Sequence, residues 1–511
     1  MKSSNQLKLG AILSYLSLGL GNVISILYTP IMLRLLGQSE YGLYNLSNSI
    51  IGYLGVLDFG IGNAVVRYTA KYKVLNDEER ESNLYGMFIV IYSILAVIVI
   101  IAGSFLVINA HLFFENSLSS VELARIKWMM GLMIFNLAIS FPFGIFGGII
   151  TAHEQFIFPR IVGIIRQVLN PLIMLPLLFL GYKSLGMTVV STCLNFIFIW
   201  VNLYYCFKVL KIKVRFSKID FSVLKEIMGY SFFIFLNMIV DKIYWSTDQF
   251  ILGSISGTVS VAIYSIASTL NQYYMSFSTA ISGVFLPKVT RMVTQKATDE
   301  ELSNLFIRTG RIQFIILSFI LSGFILVGRD FISIWAGEGY EQSYLIVLLV
   351  MIPLTVPLIQ NLGNVILQAK NMHQFRSMIY IFIAILNVMV SIPLAKMYSG
   401  VGCALATGIS MVIGNIIIIN IYYYKRIHIN IPKFWIEILK LSIPVLFSLG
   451  VTIFINRMIE LEGILNILFT GSLFTILFIP LMWILGMNKS EKELFMGPVK
   501  VIRRKLGRVT V

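Results

Sequence analysis

The stretch "LYGMFIVIYSILAVIVIIAGSFLVI", Leu84 to Ile108, runs for 25 residues without one charged side chain. About 20 apolar residues in helical rise cover the hydrocarbon core of a bilayer, so this segment predicts a membrane-spanning helix. Runs of the same kind recur along all 511 residues, separated by short polar breaks. The chain is 57% hydrophobic and only 13% charged, with mean hydropathy +0.85. Soluble domains carry about 25% charged residues, so lipid is the main solvent. A first run at 9–36 exceeds the apolar core of a signal peptide and lacks a small-residue cleavage site, so it is read as the first span.

Outward from Leu84, fourteen spans are predicted: 9–36, 42–68, 84–108, 128–151, 156–180, 185–208, 226–252, 259–287, 311–328, 343–369, 375–398, 400–424, 436–456 and 464–487. All are expected to be helices, because lipid offers no partner for an open backbone. With the N-terminus inside, 31 of the 40 lysines and arginines fall on the cytoplasmic side, which places both termini there. The net charge of +16 is therefore an orientation signal and does not imply nucleic-acid binding. The tail "KVIRRKLGR" is expected to lie on anionic headgroups.

Self-comparison indicates a duplication. Pro142 matches Pro357, Gly148 matches Gly363, Asn170 matches Asn387, Pro176 matches Pro393, Gly186 matches Gly402 and Gly37 matches Gly253, all near one offset. Six spans per copy make a parallel repeat. The expected architecture is all-α, with two pseudo-symmetric six-helix lobes plus two C-terminal helices. Its parts are an N-terminal lobe at 1–210, a cytoplasmic linker at 211–225, a second lobe at 226–424, two added spans within 425–488 and a basic tail at 489–511. In transporters built from such repeats the substrate site lies at the repeat interface.

Ionisable groups inside spans cost about 2.5–3.5 kcal/mol on insertion scales, so they are candidate functional residues. In "NMIVDKIYWSTDQFILG", Asn237 to Gly253, the helical period aligns Asn237, Asp241, Tyr244 and Asp248 on one stripe. Lys242, Trp245 and Gln249 make an adjacent one, and the wide polar face suits the wall of a water-filled cavity. Arg166 and Asn170 share a face of the fifth span. A guanidinium there could clamp a diphosphate, or could pair with Asp58 or Asp241 and hold the lobes in register. Lys242 carries the same two readings. Asp58, in "VLDFGIG", either lines a cavity or makes an interhelical pair; Arg34 and Arg67 lie near span ends, where interfacial anchoring competes with a gate role. Asp248 is read as a gate residue or an ordinarily solvated one. His153 and Glu154 read as a solvated loop pair, with proton coupling as the alternative. Cys193, Cys206 and Cys403 have no metal spacing and read as small core residues; no phosphate-cradling loop is present.

"RLLGQSEYGLYNLSNSI" followed by "LDFGIGNAVVRYTAKY" resembles the opening of Wzx-type polysaccharide repeat-unit flippases of the multidrug/oligosaccharidyl-lipid/polysaccharide (MOP) superfamily. "TDQFILGSISGTVSVAIYSIA" resembles the same family's seventh-span pattern. The matching positions are Arg34, Gly37, Gly42, Asp58, Gly60 and Arg67, then Asp248, Gly253, Gly257 and Tyr264. The resemblance implies a non-enzymatic flippase in the bacterial cytoplasmic membrane. It would move undecaprenyl-diphosphate-linked oligosaccharide from the inner to the outer leaflet by alternating access. On that reading Arg166, Lys242 and Asn170 bind substrate, while Asp58, Asp241, Asp248, Arg34 and Arg67 serve the cavity, coupling or a gate. No cofactor or metal is expected; a proton or Na+ gradient, or the membrane potential, would drive transport. Membrane lipids are partners, with a polysaccharide polymerase and glycosyltransferases as candidates. A cation-coupled multidrug (MATE-like) exporter is the alternative.

Overall fold

A computed structural model describes residues 3–216, 221–370, 372–459 and 461–496. Parts of the expected linker (217–220) and tail (497–511) lie outside the described residues. Among the described residues there is no strand. Helix starts follow from local chemistry. Asp77 accepts the backbone N–H of Arg80 and is followed by Glu78, Glu79 and Glu81 in the first helical turn. Ser119 with Glu122, and Thr298 with Glu301, form reciprocal capping boxes.

The chain divides into two compact units, residues 1–265 with 388–403, and 266–387 with 404–511. The first contains α1 (Ser3–Leu36), α2 (Gln38–Leu54), α3 (Ile61–Val74), α4 (Glu78–Ile108), α5 (Ala110–Phe114), α6 (Ser120–Ala152), α7 (Ile157–Phe179), α8 (Ser184–Tyr204), α9 (Phe221–Ile255) and the first residues of α10 (Gly257–Ser282). The second holds the rest of α10, then α11 (Leu286–Thr294), α12 (Asp299–Ala336), α13 (Gln342–Ile359), α14 (Asn361–Ala369), most of α15 (His373–Met411), α16 (Ile419–Lys425), α17 (Ile431–Ile459) and α18 (Gly463–Leu481).

Among the described residues eleven helical stretches are long and apolar enough to cross a membrane, or twelve with the bent pair in α9. Fourteen would require counting two arms of Met378–Lys425 about Ser399, where φ is 50° and ψ −129°, and admitting the less apolar α10. Two expected continuous spans are interrupted. Span 2 breaks at Gly55–Gly60, between α2 and α3. Span 10 breaks at Gln360, three residues after Pro357, and the buried Gln360 amide donates to Asn420 at 2.8 Å. Pro142, its repeat partner, stays inside an unbroken α6. Cys206 and Cys403 are buried, but Cys193 is exposed.

In the first unit, α9 and the start of α10 run along α2 and α3 on a seam of glycines. A Cβ on Gly42 would fall 1.8 Å from the Thr258 carbonyl oxygen, and one on Gly253 would meet Leu46 at 2.4 Å. A Cβ on Gly60 would meet Ile234 at 2.5 Å. Small residues allow this backbone approach, which in lipid is a main source of helix association. Gly42→Ala is expected to destabilise the protein by about 1–3 kcal/mol, because the obstruction is backbone rather than a movable side chain. Thermal unfolding in detergent checks this against Gly144→Ala, where nothing lies within 4 Å and no loss is expected. At the turn into each helix stand Gly37 (φ 76°) and Gly257 (φ 83°). Gly253, matched to Gly37 by sequence, lies inside α9 as a packing residue.

Candidate functional site

The break in span 2 results from "GVLDFGIG". A 3₁₀ turn at Gly55–Asp58 leads into Phe59 (φ 52°) and Gly60 (φ 70°), both left-handed, and α3 restarts at Ile61. Broken helices at membrane depth occur where backbone is buried in protein or lines a hydrated cavity. Asp58 ends the turn, half-buried, and accepts a hydrogen bond from Tyr92 of α4 at 2.6 Å. Helix α9 covers the break through Ile234 and through Phe235, whose ring centroid is 4.3 Å from that of Phe59. Asp58 is therefore held by a phenol within the first unit.

On α9 the predicted stripe does not present one uniform face. Asp241 is exposed, whereas Tyr244 and Asp248 are buried. The Asn237 side chain lies outside the described residues. Asp248, 2% exposed, accepts the hydroxyls of Tyr264 and, at 3.1 Å, Ser391. Ordinary solvation is thus excluded for Asp248: the protein replaces its water with hydroxyl donors. Thr247 and Tyr53 share a hydrogen bond at 2.5 Å, and Ser49 donates to the Ser246 carbonyl at 3.2 Å. Lys242 is half-buried against the backbone of α2, its Nζ 2.9 Å from where a Gly52 Cβ would stand.

Arg166 lies nine residues into α7, about 13 Å along the helix. Its guanidinium is exposed at the protein surface and rests over the Phe198 ring, 5.7 Å from the centroid. Among the described residues neither Arg166 nor Lys242 has a carboxylate within 4 Å. The ion pairs with Asp58 or Asp241 that would have made these cations structural are not formed. One turn on, Asn170 has a buried Oδ1 with no hydrogen-bond partner. Arg166 and Lys242 stand on helices with different main neighbours: α7 packs on α1 and α8, and α9 on α2 and α3. Arg34 is exposed near the end of α1, whereas Arg67, expected near a span end, is exposed in the middle of α3 because span 2 breaks before Ile61, and it lies over the Tyr68 ring at 5.8 Å.

His153 caps the end of α6, with Nε2 3.6 Å from Glu81, which also accepts the Tyr85 hydroxyl. Burial first, and Lys73 after it, hold the imidazole below its ordinary value, so it is neutral at pH 7 and the contact is not an ion pair. Sequence reasoning missed a polar cluster between spans 4 and 6. The Asn195 amide donates to Asn136 at 2.6 Å and to Ser140 at 2.7 Å. Asparagines in otherwise apolar spans were the available signal.

Membrane-length helices, a broken charge-bearing span and an intramembrane guanidinium with no acidic partner among the described residues define a polytopic membrane fold, and solved structures share it. The lipid II flippase MurJ in an inward closed conformation aligns over 96% of this chain and 99% of its own, with TM-score 0.73 and 16% identity. An inward-facing multidrug resistance MATE family transporter of the MOP superfamily aligns over 81% and 97%, with TM-score 0.65 and 12% identity. The chain shares its fold with both. Residues 7–293, more than half of the chain, match the polysaccharide biosynthesis protein family, and the chain belongs to that family. A putative O-antigen transporter of Shigella flexneri is 23% identical over 316 residues, 60% of this chain and 71% of that protein. The resemblance to Wzx-type flippases holds, and the protein is a multi-pass membrane protein.

Proposed function

We propose that the protein flips an undecaprenyl-diphosphate-linked oligosaccharide, a polysaccharide repeat unit, from the inner to the outer leaflet of the bacterial cytoplasmic membrane by alternating access. The observation that carries this reading is Arg166, an intramembrane guanidinium with no acidic partner among the described residues. An uncompensated cation at this depth is costly unless a ligand supplies the anion. A diphosphate supplies it, and its oxygens match the planar fork of the guanidinium. Asn170, on the same face, adds polar capacity for the substrate, and Lys242 a second positive charge. Both termini face the cytoplasm, and an ion gradient or the membrane potential drives the cycle. A polymerase and glycosyltransferases act on the same lipid-linked glycan.

The cation exporter is disfavoured because Arg166 and Lys242 would repel a cationic drug. Deletion in the native host separates the two. A flippase loss accumulates lipid-linked oligosaccharide in extracted membranes with unchanged drug sensitivity. Normal lipid-linked pools together with heightened sensitivity to cationic drugs would refute the flippase.

A further inference from the structure

The hairpin between α16 and α17 carries a cationic cavity that the transport reading does not use. It measures about 470 Å³ and is lined by Tyr424, Lys425, His428, Ile429, Asn430 and Pro432, a mixture of polar and apolar surface. Two membrane-spanning stretches, Met378–Lys425 and Ile431–Ile459, both end at this cavity, which puts it at the edge of the hydrocarbon layer. We infer that this hairpin is a binding site for the headgroup of an anionic phospholipid.

Charge is the first argument. Lys425, Arg426 and His428 have no carboxylate partner among the described residues. Nearby acids are already engaged: Asp299 with Lys370 at 3.0 Å, and Glu437 with Arg311 and Lys440. Lys433 adds a further cation beside the hairpin, its Nζ 3.4 Å from the Asn304 amide oxygen. A leaflet phosphate would neutralise this cluster, and basic pockets between membrane helices are suited to that chemistry.

Preorganisation is the second. Ile427 and Ile429 are each 1% exposed and anchor the loop in the core. The Ile429 N–H donates to the Tyr423 carbonyl at 3.0 Å, the Asn430 N–H to Ser303 at 3.1 Å, and the Lys433 N–H to the Asn430 side chain at 3.0 Å. Lys425, Arg426 and His428 thus stand on a fixed backbone, so little backbone ordering cost opposes binding. Ile429 and Pro432 offer apolar wall to the glycerol and first methylenes, and Tyr424, 54% exposed, has the amphipathic ring favoured at a membrane interface. A free anion would use the charge but not this apolar wall.

Full-length protein in neutral detergent tests the site, with native mass spectrometry and melting read against phosphatidylglycerol, phosphatidylcholine and inorganic phosphate. Wild type should retain and be stabilised by phosphatidylglycerol alone. The Lys425→Ala/His428→Ala variant should bind it about tenfold more weakly, while melting like wild type without lipid, since both side chains are exposed. Lys208→Ala/Lys211→Ala, which removes exposed charge elsewhere, should bind like wild type. Equal binding by both variants and wild type, or equal loss in both variants, would overturn the site. So would stabilisation by inorganic phosphate matching that by phosphatidylglycerol.

Discussion

Arg166→Ala is expected to reduce flipping of a labelled lipid-linked oligosaccharide in reconstituted vesicles by about 100-fold, with unchanged insertion and melting temperature. The magnitude follows from removing charge-assisted hydrogen bonds worth together about 3 kcal/mol, and about 1.4 kcal/mol is tenfold. Stability should hold because the guanidinium has no ion pair to lose among the described residues and rests over the Phe198 ring. Arg166→Lys keeps the charge but not the planar fork, so it should recover only part of the rate. Lys242→Ala should also slow flipping, although the Lys242 stem packs on Gly52 and some melting change is expected there. Normal flipping by both alanine variants would remove the diphosphate clamp. A fall in melting temperature matching the fall in rate for Arg166→Ala would make the residue structural.

The fold was legible because its determinant is extensive. Hundreds of apolar residues in runs of membrane length leave helices as the single solution, and capping signals such as Asp77 and Ser119 mark where they begin. What hydropathy averages over was not legible. "GVLDFGIG" reads as apolar as a regular helix, yet Phe59 and Gly60 take left-handed backbone and divide the span. Pro357 and Pro142 look equivalent, but only the first is followed by a helix break, where Gln360 finds a side-chain partner in Asn420. Among the charges, periodicity located the stripe on α9 but not its surroundings. Asp241 and Asp248 share a helical face, yet one is exposed and the other is enclosed by Tyr264 and Ser391, residues 16 and 143 positions away. Such partners depend on tertiary packing, which one sequence does not encode locally.

The most destabilising single change is expected at a residue that sequence reasoning passed over. Arg311, on α12, has a side chain only 6% exposed, and its Nε donates to Glu491 at 2.6 Å. Its other nitrogens reach Glu491 again at 2.9 Å, Glu437 at 2.7 Å and the Gly486 carbonyl at 2.9 Å. Glu491 is fully enclosed and also accepts the Asn488 N–H, while the Asn488 side chain accepts the Glu491 N–H at 2.9 Å. This closes the first turn of a helix at 489–496, so the start of the segment expected to be a basic tail is docked in the second unit. Arg311→Ala leaves a buried carboxylate with its compensating charge removed, and breaking such a pair costs about 3–5 kcal/mol. Against a total stability of about 5–15 kcal/mol, that should lower the melting temperature sharply and release the C-terminal helix to protease. Replacing both partners distinguishes a lost charge balance from lost packing. Arg311→Met with Glu491→Leu keeps volume and removes both buried charges, so it should restore most of the stability even though every hydrogen bond of the pair is gone. If the double variant melts as low as Arg311→Ala, the network's geometry rather than its neutralisation holds the segment in place.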